Sequence, residues 1–155
     1  MLRWTRSGQA TYAEIGYDPE LADELRRKEG WVALYFYWKE FECHAVERLL
    51  ADPPGGVIDF GAGHSVHEND AHFARVAAAL APYPNVVLLL PSGDQDEALR
   101  VLHERRQFTP DPDRLDLNAH FLTHPSNQRL AKQAIYTDAR TPDETCQQIL
   151  NAVEL

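Results

Sequence analysis

The residues best suited to chemistry lie in one stretch, Gly55 to Val66, which reads GGVIDFGAGHSV. Its apolar run, Val57 to Phe60, contains an acid and opens directly into the glycine turn Gly61-Ala62-Gly63. This pattern is typical of a buried parallel strand that delivers a ligand-binding loop. In this position Asp59 is either a magnesium ligand or general base, or a strand-end acid that caps the following turn.

Three histidines, His64, His67 and His72, follow the glycine turn, with acids between them. Such a cluster raises the question of a metal site, but its spacing matches no established zinc pattern. Histidines at the exposed start of a helix are therefore the favoured interpretation. A serine nucleophile is not indicated, because Gly63-His64-Ser65 lacks the G-x-S-x-G pattern of a nucleophile elbow.

Regular elements must position the glycine turn, and apolar spacing predicts an alternation of helices and strands. Asp18 with Pro19 starts one helix, and Thr141-Pro142-Asp143-Glu144 is a capping-box pattern that starts another. Alternation indicates parallel pairing, so the predicted fold class is α/β, a three-layer α/β/α domain with a small parallel sheet. The predicted helices are 19–30, 31–50, 68–80, 94–106, 126–133 and 141–153, and the predicted strands are 57–60, 86–90 and 134–137.

Some segments carry a more specific expectation. The uninterrupted apolar run Val86 to Leu90 predicts a strand that is buried on both faces. The aromatic residues of the 31–50 helix fall near helical spacing, which favours core packing over a cofactor site. Residues 1–10 are expected to be irregular, and the segment 108–118, rich in Asp and Pro, is expected to be an exposed loop.

Length and composition limit the classes of function. The chain has 155 residues, a mass of 17.6 kDa and 44% hydrophobic residues, enough for one domain with a real core. Its formal net charge of -9 opposes binding to nucleic acid or to an anionic membrane. Two distant cysteines and the lack of a long apolar run favour a cytoplasmic protein with small-molecule or protein partners.

From about Tyr37 onward, the order of these features is similar to that of a known enzyme group. The matching pieces are the helix Lys39 to Leu50, the glycine turn 61–63, the strand 86–90, the arginines 105 and 106, and the tail from His124-Pro125 through Tyr136-Thr137-Asp138 to Thr141-Pro142-Asp143-Glu144. Together they resemble the shikimate kinase group of small-molecule P-loop kinases. The resemblance implies a P-loop kinase-like sheet and phosphoryl transfer from Mg-ATP to a hydroxylated metabolite.

On the acceptor side, the resemblance implies that Gly61, Ala62 and Gly63 bind the hydroxylated substrate through backbone amides. Lys39 would bind the substrate from the aromatic helix. Asp59 would be the catalytic carboxylate and the magnesium ligand.

On the nucleotide side, the resemblance implies that Arg105 and Arg106 belong to a lid and stabilise the transferring phosphoryl group. Their alternative is a solvated helix end that interacts favourably with the helix dipole. His124, Asn127 and Thr137 would contact the nucleotide, and packing or capping is the alternative for His124 and Asn127.

The chain departs from the group where the phosphates would bind. It contains no G-x-x-x-x-G-K-[ST] string, and the nearest segment, Arg6 to Thr11, lacks both the lysine and a preceding apolar strand. The first, central strand of the sheet is therefore expected to be missing, which makes 1–155 a single but N-terminally incomplete domain. Lys39 and Thr123 stand where the group has arginines, so shikimate need not be the substrate.

Two functions remain open. The first is a shikimate kinase-like phosphotransferase that is inactive or incomplete as given. The second is a non-catalytic binding or interaction protein that retains the α/β fold. A missing central strand would leave strand edges unpaired. Direct closure of the neighbouring strands on each other, a homo-oligomer or strand exchange would cover these edges.

Overall fold

The computed structural model describes residues 11–53, 55–106 and 115–153. The predicted irregular segment 1–10, the Arg6–Ala10 string and most of the predicted 108–118 loop lie outside these residues. The contacts divide the chain into two compact units that meet in sequence between Leu80 and Ala81. Each unit is described by itself.

The longer helices among the described residues of the first unit are α1 (Pro19–Lys28), α2 (Trp31–Ala51) and α3 (Asp70–Leu80). The predicted start of α1 is confirmed, because the Asp18 carboxylate accepts hydrogen bonds from the backbone N–H groups of Glu20 and Leu21 at 2.8 and 3.1 Å. Gly30 separates α1 from α2 with a φ of 85°, a value that favours glycine. The predicted break at Gly30 therefore has a backbone cause.

The predicted strand 57–60 is wrong. These residues have no regular structure, and Val57 is 88% exposed. No strand forms among the described residues of this unit, so the segment has no neighbour with which to pair. An apolar run alone does not make a strand, because a strand needs a ladder partner.

The core of the first unit forms where α2 packs against α1 and α3. Its fully buried side chains include Cys43, Val46 and Val76. The predicted packing role of the aromatic residues of α2 holds for Tyr35 and Phe41, which are buried; these two lie among the core residues Ala22, Leu34, Tyr35, Phe41, Ala45, Leu50, Val66 and Leu80.

The second unit contains two strands, β1 (Val87–Leu90) and β2 (Gln133–Tyr136), which pair in parallel with Val87 opposite Gln133 and Leu90 opposite Tyr136. Parallel pairing of these two strands confirms the prediction of an α/β class in its coarse form. The expectation that the 86–90 strand is buried on both faces is wrong, because Leu89 is 50% exposed. The side chain of Leu89 is therefore not covered on its face of the sheet, as that of an interior parallel strand would be.

Helices α4 (Gln95–Arg106), α5 (Leu117–Thr123) and α6 (Pro125–Leu130) connect the strands, and α7 (Pro142–Ala152) follows β2. Helix α5 was not predicted; Asp116 caps it by accepting from the N–H groups of Asn118 and Ala119 at 2.9 and 3.2 Å. The predicted capping box of α7 is confirmed, since Thr141 N–H donates to Glu144 Oε2 at 2.8 Å and Glu144 N–H donates to Thr141 Oγ1 at 3.3 Å.

An ion-pair network joins α2 to α3. Arg75 on α3 donates to Glu47 through Nε at 3.0 Å and through Nη2 at 2.7 Å, and to Glu40 through Nη1 at 2.7 Å. Hydrogen bonds from Arg75 hold the pKa values of the Glu40 and Glu47 carboxyls below their ordinary value. A carboxyl whose pKa is lowered on folding stabilises the protein above its ordinary pKa and loses that contribution as the pH falls.

We expect Arg75→Gln to lower the free energy of unfolding by about 1 kcal/mol at pH 7, as is typical for a partly exposed pair network. The difference from the unsubstituted protein should shrink below about pH 4.5, where both glutamates become protonated. Urea unfolding between pH 7 and pH 3 measures this difference. The control is Arg27→Gln, which removes an arginine on α1 that has no ion pair among the described residues; a pH-independent loss in Arg75→Gln would contradict the prediction.

Candidate functional site

The glycine turn is a short 3-10 helix over Ala62–Ser65, in which the N–H of His64 donates to the carbonyl of Gly61 at 2.9 Å. It follows the irregular segment 57–60 and precedes α3. Gly61 is exposed, whereas Val66 directly after the turn is completely buried. The turn therefore has one solvent-facing end and one end fixed in the core.

Lys39 on α2 holds the segment 61–66, which contains this turn, through two hydrogen bonds. Its ammonium group donates to the carbonyl of Gly63 at 2.6 Å and to the carbonyl of Val66 at 2.9 Å. It also pairs with the carboxylate of Glu42, one helical turn further along α2. The side chains of Lys39 and Glu42 are only 5% and 9% exposed, so each charge relies on the other for compensation.

The Lys39–Glu42 pair is a close contact between opposite charges. Burial of both groups strengthens their Coulombic attraction. The Lys39 ammonium group also lies 4.5 Å from the centre of the Tyr35 ring, a cation–π arrangement. The ammonium group thus contacts two carbonyls, one carboxylate and one aromatic ring.

Gly63 lies against Glu42 of this pair, where there is no room for a side chain. A Cβ atom at this position would lie 3.1 Å from Glu42 Cδ and closer still to Glu42 Oε1. A Cβ at Gly61 would meet its nearest atom, His64 Nδ1, at 3.4 Å. Gly63 is thus required by a close approach, whereas Gly61 is not.

Buried polar side chains surround the turn. His67 is 4% exposed, and its Nε2–H group donates to the carbonyl of His64 at 3.2 Å. Burial, assisted by the charge of Lys39, lowers the pKa of His67 to about 4, and burial also lowers the pKa of His64. Both imidazoles are therefore neutral at pH 7. The Tyr35 hydroxyl donates to Glu68 Oε1 at 2.5 Å, which together with burial raises the pKa of that phenol.

The structure brings two of the predicted acceptor-side elements together, namely Lys39 and the turn 61–63. Sequence reasoning did not identify Glu42, Tyr35 or Glu68 as parts of this cluster. Glu42 had a signal in its i+3 spacing from Lys39, since oppositely charged residues three apart meet on a helix. The pairing of Tyr35 with Glu68 spans 33 positions and had no local signal.

Asp59 does not occupy the environment that the sequence predicted. It is exposed in the irregular segment rather than at the end of a buried strand. No group of three or more His, Cys, Asp or Glu side chains is arranged to hold a metal ion in 11–53, 55–106 or 115–153. The role of Asp59 as a magnesium ligand stays a prediction.

The predicted nucleotide-side residues lie in the second unit. Arg105 is exposed near the end of α4, and Arg106 is the last residue of that helix. His124 caps α6, its Nδ1 accepting from Ser126 N–H at 3.2 Å, which is the alternative foreseen for it. The N–H of Thr137 donates to the carbonyl of Leu90 at 2.8 Å and continues the β1–β2 ladder.

Asn127 combines a satisfied donor with an unsatisfied acceptor. Its Nδ2 group donates to the carbonyl of Phe121 at 2.8 Å. Its Oδ1 atom is buried and accepts no hydrogen bond from the described residues. A buried acceptor without a donor is unfavourable for stability.

Comparison of the chain with models of protein families, with curated proteins and with solved structures finds no match. None of the described helices combines the length and the apolar character needed to cross a membrane.

We expect Gly63→Ala to lower the free energy of unfolding by about 1–3 kcal/mol, because the added methyl group pushes against the buried Glu42 carboxylate. Gly61→Ala is the matched control and should change stability by less than about 0.5 kcal/mol, since its φ is -64° and its Cβ meets no atom closer than 3.4 Å. Urea unfolding of both variants measures the difference, and equal losses would show that the turn is not held against Glu42.

Lys39→Met should lower the free energy of unfolding by about 3–5 kcal/mol, because it leaves Glu42 buried without its partner charge. The double variant Lys39→Met with Glu42→Leu removes both charges and should recover part of the loss. Thermal and urea unfolding of the two variants test this order. A double variant less stable than Lys39→Met would contradict the assignment of the cost to an unpaired carboxylate.

Proposed function

We propose that the protein is the acceptor-binding part of a small-molecule kinase of the shikimate kinase type. The observation that carries the proposal is the contact between Lys39 and the turn 61–66, which joins two elements that the sequence resemblance assigns to acceptor binding. Because Lys39 is buried and fully engaged, it acts as a positioning residue that fixes the turn. The exposed end at Gly61 is then the part that meets the ligand.

The geometry of the turn supports a ligand with hydroxyl groups. Backbone groups of a short, rigid glycine turn approach a ligand closely and lose little entropy on binding. His64 within the turn and His67 directly after it are neutral and add no net charge, so a polar, uncharged part of the ligand is the better match. The proposed acceptor is therefore a small hydroxylated metabolite.

The described residues fit Mg-ATP only in part. The sequence resemblance assigns Asn127 to the nucleotide, and its Oδ1 atom has no hydrogen-bond donor among the described residues. For the magnesium ion, no group of three or more metal-binding side chains is arranged among the described residues. The proposed protein is inactive as a kinase unless a phosphate loop comes from elsewhere, and the proposal includes a cytoplasmic location.

Glycine-selective ¹⁵N labelling tests the acceptor site, because the chain has eight glycines and gives a simple amide spectrum. Shikimate and quinate, two cyclic polyol acids, are the probes. Gly61, assigned from its loss in Gly61→Ala, should shift saturably, whereas the signals of glycines remote in sequence, such as Gly16, should stay fixed. The absence of any Gly61 shift with 20 mM of either probe would reject the acceptor site.

Calorimetric titration with Mg-ATP tests the missing phosphate site. We expect no micromolar binding by the 155-residue chain. Micromolar binding would show that a phosphate site exists without the G-x-x-x-x-G-K-[ST] string and would contradict this expectation.

A second candidate is a non-catalytic protein that associates with a second copy through its sheet. The carbonyls of Val86 and Leu90 accept bonds from the β2 side, so in a parallel ladder the backbone groups of Val87 and Leu89 face the other edge. No strand covers that edge among the described residues. An uncovered apolar edge is a template for pairing with another chain.

Light scattering on the purified chain tests this second candidate. Association through β1 predicts a dimer, and Leu89→Lys should restore the monomer because lysine on an edge strand opposes pairing. Leu150→Lys on α7 is the matched control, since Leu150 and Leu89 are 47% and 50% exposed. A monomeric unsubstituted chain at 100 µM would reject the second candidate.

A further inference from the structure

A cleft lies where α1 ends and α2 begins, separate in sequence from the turn 61–66. Asp23, Arg26, Arg27 and Trp31 line it, and its volume is about 460 Å³. It is an open depression of the surface and not an enclosed cavity. We call it the arginine–indole cleft.

The cleft has unbalanced positive charge. Arg26 is 3.9 Å from Asp23, and their side chains are 52% and 77% exposed, so this pair is weak. Arg27 forms no ion pair with any residue of the described ranges. Two guanidinium groups thus face one loosely held carboxylate, in a chain with a net charge of -9. Guanidinium groups match carboxylate and phosphate oxygens, with two parallel hydrogen bonds.

The cleft also presents a flat apolar surface. Trp31 is 55% exposed, against the expectation of core packing for the aromatic face of α2. The Arg26 guanidinium lies 5.6 Å from the centre of the Trp31 ring, and the Trp38 ring contacts Trp31 edge-on at 6.4 Å. The indole is therefore oriented by neighbours while much of its surface stays in contact with water, an arrangement suited to stacking.

We infer that the arginine–indole cleft binds a small anion that carries a flat ring. The carboxylate or phosphate of the ligand pairs with Arg27 and Arg26, and the ring stacks on Trp31. A nucleic acid is disfavoured, because a polyanion would be repelled by the rest of this acidic chain. An aromatic carboxylate and a nucleotide both have the required chemistry.

The indole N–H signals of a ¹⁵N-labelled sample report on the site directly. The chain has three tryptophans, so Trp31 is assigned by the loss of its signal in Trp31→Phe. The probes are phenylacetate and AMP, with acetate and inorganic phosphate as the matching anions without a ring. Saturable shifts of the Trp31 signal with a ring-bearing anion, with an affinity at least tenfold higher than that of its ringless counterpart, support the inference. The ring-bearing probe that binds more tightly shows whether the ligand is an aromatic carboxylate or a nucleotide.

Arg27→Gln should weaken that binding at least tenfold, about 1.4 kcal/mol of binding free energy. Lys28→Gln is the matched control, since it removes a positive charge from the same last turn of α1 at a residue that does not line the cleft. No saturable Trp31 shift with 20 mM of either ring-bearing probe would overturn the inference, and so would equal weakening by the two substitutions. The Gly61 amide reports on the proposed acceptor turn separately, so the two sites fail or succeed independently.

Discussion

The first unit depends on one buried ammonium group. The charged ammonium group of Lys39 is stable in the core because it donates hydrogen bonds to two carbonyls of the 61–66 turn and pairs with the carboxylate of Glu42. Desolvating an ion pair is costly, and an apolar pair of similar volume is often equally stable. What an apolar pair would not supply is direction: the two carbonyl bonds allow one register of the turn over α2. The position of the turn is therefore specified by hydrogen bonds rather than by packing alone.

The same constraint explains the composition of the turn. With the Glu42 carboxylate directly beneath residue 63, a side chain there would separate Glu42 from Lys39, so glycine is the residue that fits. His67 is buried beside the ammonium group and stays neutral, which avoids adding a second positive charge to the site. The buried Lys39–Glu42 pair thus restricts residue 63 to glycine and favours a neutral His67.

Sequence reasoning succeeded where the signal is local. Helix bounds such as Pro19–Lys28 follow from Asp18 and Gly30, and the start of α7 follows from Thr141 and Glu144, because caps involve residues close in sequence. It failed at 57–60 and at Trp31. Strand formation at 57–60 depends on a partner strand, and exposure of Trp31 depends on the packing of whole helices; neither is encoded in spacing. The contact between Tyr35 and Glu68 likewise had no sequence signal, because it forms only when α2 packs against the segment that precedes α3.

The second unit has a small apolar core and, among its described residues, a sheet edge without a partner strand. Among its described residues, the buried apolar side chains are Ala98, Leu130 and Ile135, a thin core for a sheet of two parallel strands. Parallel sheets are normally covered on both faces and continued at their edges. Here β1 keeps an apolar sequence, half-exposed Leu89 and an edge without a partner strand, features of an interior strand in an exterior position. An additional strand beside β1 would resolve all three.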